Sequence, residues 1–136
     1  MIYLTRRERF NAAHRLYRKD WDDEKNLEVY GNCSNPNWHG HNYTLFVTVK
    51  GDLKPELGYV VDLKVLSSII REKIISKLDH RNMNLEVDFM KDRIASTENL
   101  AIAIWEELEP HVRQLGVDLH CVRVEETENN YAEYFG

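Results

Sequence analysis

Cysteine and proline are scarce in this chain of 136 residues, which has two cysteines, three prolines and six glycines. Cys33 and Cys121 lie far apart, so we do not expect the fold to depend on a disulfide. No run of about 18 apolar residues occurs, and we therefore expect no transmembrane helix. The first ten residues, MIYLTRRERF, are too highly charged for a signal peptide. These absences together predict a cytoplasmic protein.

The chain also lacks a concentration of charge of one sign. Its net charge is −5, and acidic and basic residues are interspersed. This pattern predicts no basic surface for nucleic acid, and an anionic substrate would need a local cluster of cations. The length is typical of one domain, so we interpret residues 1–136 as a single domain.

Hydrophobic periodicity predicts strands at both ends of the chain and helices between them. A first strand is expected over residues 2–14 and a second over residues 41–50, where apolar residues alternate with polar ones. Two C-terminal strands, LHCVRVEE and NYAEYFG, are expected to form a hairpin through TENN. Residues 15–40 are rich in turn-forming residues and predict a long loop.

Two amphipathic helices are predicted in the middle of the chain. The first begins after Asp62 and ends near LDHRN, and the second begins at Ser96 or Thr97 and ends at Gly116. Pro110 would kink the second helix or start a new turn. The order β-β-α-α-β-β predicts an α+β fold, in which a four-stranded, mostly antiparallel sheet has both helices on one face. Its two edges suggest oligomerisation by strand addition.

Three histidines are expected to meet at one end of this sheet. His39 and His41 are two residues apart in extended chain, so their side chains point to the same face, and Gly40 lets the backbone pass close by. His14 ends the partner strand. Three imidazoles with an open fourth position are typical of a catalytic zinc site, although an HxH pair also arises by chance. His111 and His120 are interpreted as surface or packing residues.

Three further groups of residues are candidates for catalysis. Cys33 lies in a polar loop beside the histidines, where its thiolate would be available, although a lone cysteine is more often a buried apolar residue. Asp79 and His80 follow the first predicted helix; because adjacent residues do not pair easily, we expect them to orient a third group. Glu125 and Glu126 point to opposite faces of a strand, and one of them could bind a guanidine-like ligand edge.

Six segments together resemble the 6-pyruvoyl-tetrahydropterin synthase family. They span residues 10–130 in the family's order: FNAAHRLY, CSNPNWHGHNY, GYVVDL, LDHRNMN, STENLAIAIW and VEETENN. The resemblance implies the T-fold, in which three sheets join into a barrel and two trimers stack into a hexamer. It also implies loss of triphosphate from 7,8-dihydroneopterin triphosphate in a reaction that needs Zn²⁺ and usually Mg²⁺.

The resemblance also implies a role for each candidate residue. His14, His39 and His41 would be the zinc ligands. Cys33 would be the general base, activated by Asp79 and His80 from the same or a neighbouring subunit. Three residues would bind the substrate. Glu126 would hold the pterin ring through its carboxylate, and the hydroxyl residues Thr97 and Ser96 would contact the same ring. Glu126 would also take part in proton transfer, and Arg15 and Lys19 are candidates for binding the triphosphate.

Some positions depart from the family pattern and leave the product open. Trp38 stands where the animal enzymes typically have glycine, and Glu128 replaces a common aspartate. The long gap between Cys33 and the HGH motif favours 6-pyruvoyl-tetrahydropterin as the product. The alternatives are a 6-carboxy-tetrahydropterin synthase, which makes the queuosine precursor and releases acetaldehyde, and a non-catalytic pterin-binding zinc module.

Overall fold

The computed structural model describes residues 1–136 and contains one five-stranded sheet. The strands occur in the order β3-β1-β2-β4-β5, and their bounds are β1 Ile2–His14, β2 His39–Gly51, β3 Arg81–Asn82, β4 Asp118–Thr127 and β5 Asn130–Tyr134. The four long strands pair antiparallel with their neighbours, whereas β3 pairs with β1 in parallel over two residues. The predicted α+β fold is confirmed, and the short β3 is an addition to the four predicted strands.

Four helices connect or cover these strands: α1 Asp23–Tyr30, α2 Leu63–Ile70, α3 Ser76–Leu78 and α4 Thr97–Gln114. A π-helical turn joins α2 to α3, so the chain stays helical from residue 63 to residue 78. The side chains of Asp62 and Ser96 cap α2 and α4, and α4 continues through Pro110 without starting a new helix. None of these helices combines the length and apolar composition needed to cross a membrane.

The prediction of an irregular loop over residues 15–40 is wrong, because this segment contains α1 and a 3₁₀ turn, Gly31–Ser34. The side chain of Asp22 caps α1 by accepting a hydrogen bond from the backbone N–H of Lys25. Asn26 is the only buried residue of α1. A short helix that is polar on nearly all sides has no apolar period, and this is why the sequence pattern did not reveal it.

The hydrophobic core lies between one face of the sheet and helices α2 to α4. Alternate residues of β2 point into it, beginning with Tyr43 and Leu45, and residues of α4 such as Leu100 and Ile104 pack from the other side. β2 begins at His39, two residues earlier than predicted. Both histidines of the HGH motif are therefore strand residues on the core side of the sheet.

Candidate metal centre and active site

His14, His39 and His41 meet at the end of the β1–β2 ladder. His14 is the last residue of β1 and pairs directly with His39, the first residue of β2. The three ring centroids lie 4.5 to 5.2 Å apart. Each ring offers one nitrogen, and the three nitrogens lie within 4.8 Å of one another. The prediction that these residues form one cluster is confirmed.

The three ring nitrogens that face each other have no hydrogen-bond partner. His14 Nε2, His39 Nδ1 and His41 Nε2 are all buried and unpaired. Unpaired buried polar atoms are rare because each costs free energy, so three of them at one point indicate a site suited to binding a metal ion. The other nitrogen of His14, Nδ1, lies 2.7 Å from the carbonyl oxygen of Ala95. This hydrogen bond requires the proton on Nδ1 and leaves the Nε2 lone pair free to bind a metal.

The electrostatics of the cluster favour neutral imidazoles. Burial is the largest cause that lowers the pKa of His14, and burial followed by the nearby His41 lowers the pKa of His39. A metal ligand must be deprotonated, so both shifts prepare these rings for coordination. Three imidazoles whose unpaired nitrogens lie close together fit Zn²⁺, which prefers nitrogen donors and tetrahedral geometry.

Glu126 lies beside the histidine cluster. One carboxylate oxygen, Oε1, is 3.6 Å from His41 Nε2, and the other, Oε2, is 3.9 Å from His14 Nε2. Oε2 also accepts a hydrogen bond of 2.7 Å from the hydroxyl of Thr97, the first residue of α4. Glu125, one residue earlier in β4, pairs instead with Arg123. Strand alternation thus places Glu126 on the histidine side of the sheet and Glu125 on the opposite side.

Cys33 lies in the 3₁₀ turn and is held close to β1 by its backbone. Its carbonyl accepts a hydrogen bond of 2.8 Å from the N–H of Leu16, two residues beyond His14. The thiol is free and half-buried. The turn therefore places Cys33 near the histidine end of β1.

Tyr43 also lies beside the histidine cluster, although the sequence did not mark it as a site residue. It is buried, and its ring centroid lies 5.7 Å from that of His41 and 6.1 Å from that of His14. Burial raises the pKa of its hydroxyl, and the charges of Glu126 and Cys33 raise it further. The available signal was strand alternation, because Tyr43 is two residues from His41 and shares its face.

Asp79 and His80 contact each other at the edge of β1. The expectation that they would not pair is wrong, since His80 Nδ1 lies 3.0 Å from Asp79 Oδ2. His80 has a φ of +61°, a left-handed backbone conformation that is uncommon for residues other than glycine. The backbone N–H of Asn11 donates to Asp79 at 2.9 Å, and this bond, followed by His80, lowers the pKa of Asp79.

The structure does not join the Asp79–His80 pair to the Cys33 thiol. No hydrogen bond or ion pair links them within the chain, and the side chain of His80 is 77% exposed. The three residues are therefore not brought together within one subunit. Asp79 nevertheless bonds to β1 at Asn11, and Cys33 bonds to Leu16, two residues past the end of the same strand.

The remaining candidate residues for substrate binding differ in how many contacts their side chains already make within the chain. The hydroxyl of Ser96 accepts the helix-capping bond from the N–H of Asn99, so Thr97 is the hydroxyl that faces Glu126. Arg15 donates to the carbonyl of Ser34 at 2.6 Å and stacks on Tyr17. Lys19 lines a separate cavity of about 350 Å³.

Comparison with known proteins agrees with this architecture. The family model described as 6-pyruvoyl tetrahydropterin synthase matches residues 3–136. The human 6-pyruvoyl tetrahydrobiopterin synthase is 44% identical over 133 residues, which cover 98% of this chain and 90% of the human protein. The 6-carboxy-5,6,7,8-tetrahydropterin synthase of Bacillus subtilis is 31% identical over 112 residues, which cover 79% of this chain and 73% of that protein.

A solved structure supports the same relationship. The Caenorhabditis elegans 6-pyruvoyl tetrahydropterin synthase has a TM-score of 0.92 and 36% sequence identity, and the match covers 99% of this chain and 95% of that one. The match of sequence and of fold therefore extends over nearly the whole chain. By both measures, the chain belongs to the 6-pyruvoyl tetrahydropterin synthase family.

Proposed function

We propose that this protein is a zinc-dependent lyase that converts 7,8-dihydroneopterin triphosphate, with loss of triphosphate, to 6-pyruvoyl-tetrahydropterin. The observation that supports this best is the set of three unpaired imidazole nitrogens with Glu126 beside them. Zn²⁺ held by His14, His39 and His41 would act as a Lewis acid toward oxygens of the substrate side chain. Mg²⁺ bound to the substrate triphosphate is part of the same proposal.

Glu126 and Thr97 bind and orient the pterin ring. A carboxylate accepts two hydrogen bonds from the planar amino-pyrimidine edge of a pterin, and the hydroxyl of Thr97 holds Glu126 in one rotamer at 2.7 Å. Fixing the ring in this way places the substrate side chain toward the histidines. Such positioning lowers the barrier because less orientational freedom is lost in the reaction itself.

Cys33 is the general base that removes a proton from carbon in the substrate side chain, and Asp79 with His80 supports it. The Asp79–His80 pair is preorganised, since Asp79 accepts from the backbone of Asn11 and orients the His80 ring. Because this pair does not contact Cys33 within the chain, we propose that it serves the Cys33 of a neighbouring subunit. The assembly would be a hexamer made of two trimers.

The pyruvoyl product is preferred to the two alternatives. Identity to the human 6-pyruvoyl tetrahydrobiopterin synthase is higher and extends over more of the chain than identity to the bacterial 6-carboxy enzyme. Against a non-catalytic module, the thiol, the oriented Asp79–His80 pair and the histidine cluster occur together in this chain.

Replacement of Cys33 tests the proposal. In Cys33→Ala, we expect the release of inorganic triphosphate from 7,8-dihydroneopterin triphosphate to slow by about 10² to 10⁴-fold, the usual contribution of a general base. Zinc content, measured by atomic absorption, should stay near one per chain, because the thiol is not needed to hold the metal. Cys121→Ala is the matched control and should retain activity.

Product analysis completes this test. Mass spectrometry of the wild-type reaction should show a pyruvoyl product without acetaldehyde. A carboxy product with acetaldehyde would assign the alternative activity. Full activity of Cys33→Ala would contradict the role of the thiol, and no turnover by the wild-type protein would favour the non-catalytic module.

A further inference from the structure

Trp38 has a strained backbone directly before the metal-binding strand. Its φ is +66°, and apart from glycines only His80 and Asp92 share a positive φ in this chain. The Cys33 turn, defined as residues 31–38, ends at Trp38, and its last backbone bond runs from Trp38 N–H to the carbonyl of Asn35 at 3.1 Å. A bulky residue keeps such a conformation only where surrounding contacts impose it.

The contact that meets the Trp38 ring comes from the extension of β1. Tyr17 packs edge-to-face against it, with ring centroids 6.4 Å apart and an interplanar angle of 77°. Arg15 stacks on the same tyrosine, 4.2 Å from the ring centroid, and donates to the carbonyl of Ser34 inside the turn. The Cys33 turn is therefore attached to the residues after His14 at its middle, through Cys33 and Ser34, and at its end, through Trp38.

We propose that Trp38 is a positioning residue whose packing against Tyr17 holds the Cys33 turn in one conformation beside the histidine cluster. The Tyr17–Trp38 ring contact lies at the junction between the turn and His39, one residue before the ladder pair of His39 with His14. Without it the backbone would leave the strained conformation, and the thiol would sample more positions. The proposal rests on the proposed function for its catalytic meaning, because a positioned thiol matters to a reaction that uses Cys33 as base.

Chemical reactivity of the thiol tests the proposal without substrate. The rate of Cys33 alkylation by iodoacetamide would be followed by peptide mass spectrometry, with Cys121 in the same sample as an internal control. We expect Trp38→Gly and Trp38→Ala to raise the Cys33 rate roughly threefold to tenfold, the equivalent of one lost aromatic contact. Glycine adopts a positive φ without strain, whereas alanine does not. A higher Cys33 alkylation rate in both variants would therefore result from loss of the indole ring and not from a change in backbone strain.

Two further variants distinguish a Trp38 ring that fixes the conformation of the Cys33 turn from a ring that only shields the thiol from the reagent. Trp38→Phe retains an aromatic edge and should stay within about twofold of the wild-type rate. Tyr17→Leu leaves the Trp38 ring in place but removes its partner, and it should raise the Cys33 rate as much as Trp38→Ala does. An increase in the Trp38 variants but not in Tyr17→Leu would mean that the ring only covers the thiol, and would overturn the proposal.

Zinc content, the alkylation rate of Cys121 and turnover kinetics distinguish the proposal from a general loosening of the fold. Zinc content should be unchanged in all variants; loss of zinc, or faster alkylation of Cys121 as well, would indicate general loosening and contradict the proposal, as would unchanged Cys33 rates. In turnover assays, kcat of Trp38→Gly should fall while KM stays within about twofold, because Glu126 still binds the pterin ring of the substrate. Failure of the wild-type protein to turn over substrate would count against the proposed function only, since the alkylation result is independent of it.

Discussion

At the scale of single residues, the histidine cluster depends on which ring nitrogen each residue leaves free. The carbonyl of Ala95 binds Nδ1 of His14, and thereby directs Nε2 toward His39 and His41. Tyr43 packs at the side of two of these rings and limits their rotation. Such outer contacts orient metal ligands and raise metal affinity.

The first prediction at this scale concerns the pH dependence of the metal-free protein. Burial lowers the pKa of His14 and His39 in the folded state below the ordinary value of 6.5. The unfolded chain then binds protons more readily than the folded chain, so the stability that these residues contribute is present above this value and is lost as the pH falls below it. We expect the melting temperature of the zinc-free protein to decrease as the pH is lowered from about 7.5 to about 5.

The control for this prediction replaces one histidine inside the cluster and one outside it. His14→Gln should flatten the decline in melting temperature over the same pH range. His111→Gln, on α4 and outside the cluster, should decline as the wild type does. Equal declines in all three proteins would show that other groups determine the acid sensitivity.

The second prediction concerns the hydroxyl that orients Glu126. Thr97→Val has nearly the same shape but cannot donate to the carboxylate, so Glu126 loses one partner while the three histidines proposed to hold zinc are unchanged. Since a hydrogen bond to a charged group contributes about 1.5–3 kcal/mol, KM should rise roughly tenfold or more, with a smaller change in kcat. Thr97→Ser retains the hydroxyl and should stay close to wild type; steady-state kinetics of all three proteins would measure the difference.

At the scale of elements, α1 is held by one buried side chain rather than by an apolar face. Asn26 is 1% exposed and accepts a hydrogen bond from the N–H of Arg18, while its amide group lies within bonding distance of the carbonyls of Arg18, Trp21 and Asp22. These bonds fold residues 18–22 against α1. The helix in turn leads directly into the Cys33 turn, so its stability affects the site.

A prediction follows for this element. Asn26→Ala removes the acceptor of the Arg18 N–H and the side-chain donor to the carbonyls of Arg18, Trp21 and Asp22, and should lower the free energy of unfolding by about 2–3 kcal/mol. Amide hydrogen exchange should show the largest loss of protection in α1. Glu24→Ala, at an exposed position of the same helix, is the control and should change stability little. Equal protection in Asn26→Ala and wild type would mean that α1 is stabilised by other contacts.

At the scale of the whole molecule, one face of the sheet is covered and the other is not. Helices α2 to α4 bury the core face, whereas Arg7, Arg9 and Asn42 on the opposite face line an open groove. Most of the outer edge of β1 is also unpaired, since β3 covers only Ala12 and Ala13. Exposed strand edges favour pairing with another chain, which fits the proposed assembly into trimers and hexamers.

The prediction at this scale is that catalytic residues of neighbouring subunits complement each other. Cys33→Ala and His80→Ala should each be nearly inactive alone. When the two are unfolded together and refolded, activity should return to about one quarter of wild type, because about one neighbouring pair in four then combines an intact Cys33 with an intact His80.

The assembly state must be measured with this experiment. Light scattering coupled to size-exclusion chromatography should give a mass about six times the 16.1 kDa of one chain, and native mass spectrometry should show mixed oligomers. Mixed oligomers without recovered activity would show that Cys33 and His80 act within the same subunit.

The sequence alone determined the features that depend on local periodicity. Alternation of apolar and polar residues in β2 predicted that His39 and His41 share a face, and the spacing of apolar residues after Asp62 and Ser96 predicted the two helical segments that cover the sheet. These patterns suffice because the side-chain periods of strands and helices are properties of the local backbone. The histidine cluster followed once the two N-terminal strands were paired.

Only the tertiary structure decided the contacts between distant segments. The bond of His14 to Ala95 spans 81 residues and that of Asp79 to Asn11 spans 68 residues, and no local pattern encodes either. The direct Asp79–His80 pair and the strained Trp38 depend on positive φ values that neighbouring segments impose. α1 is polar on almost every side and is held by Asn26, so its existence depends on packing rather than on periodicity. Periodicity therefore determined which residues face the site, and packing of distant segments determined which of their atoms remain free to act.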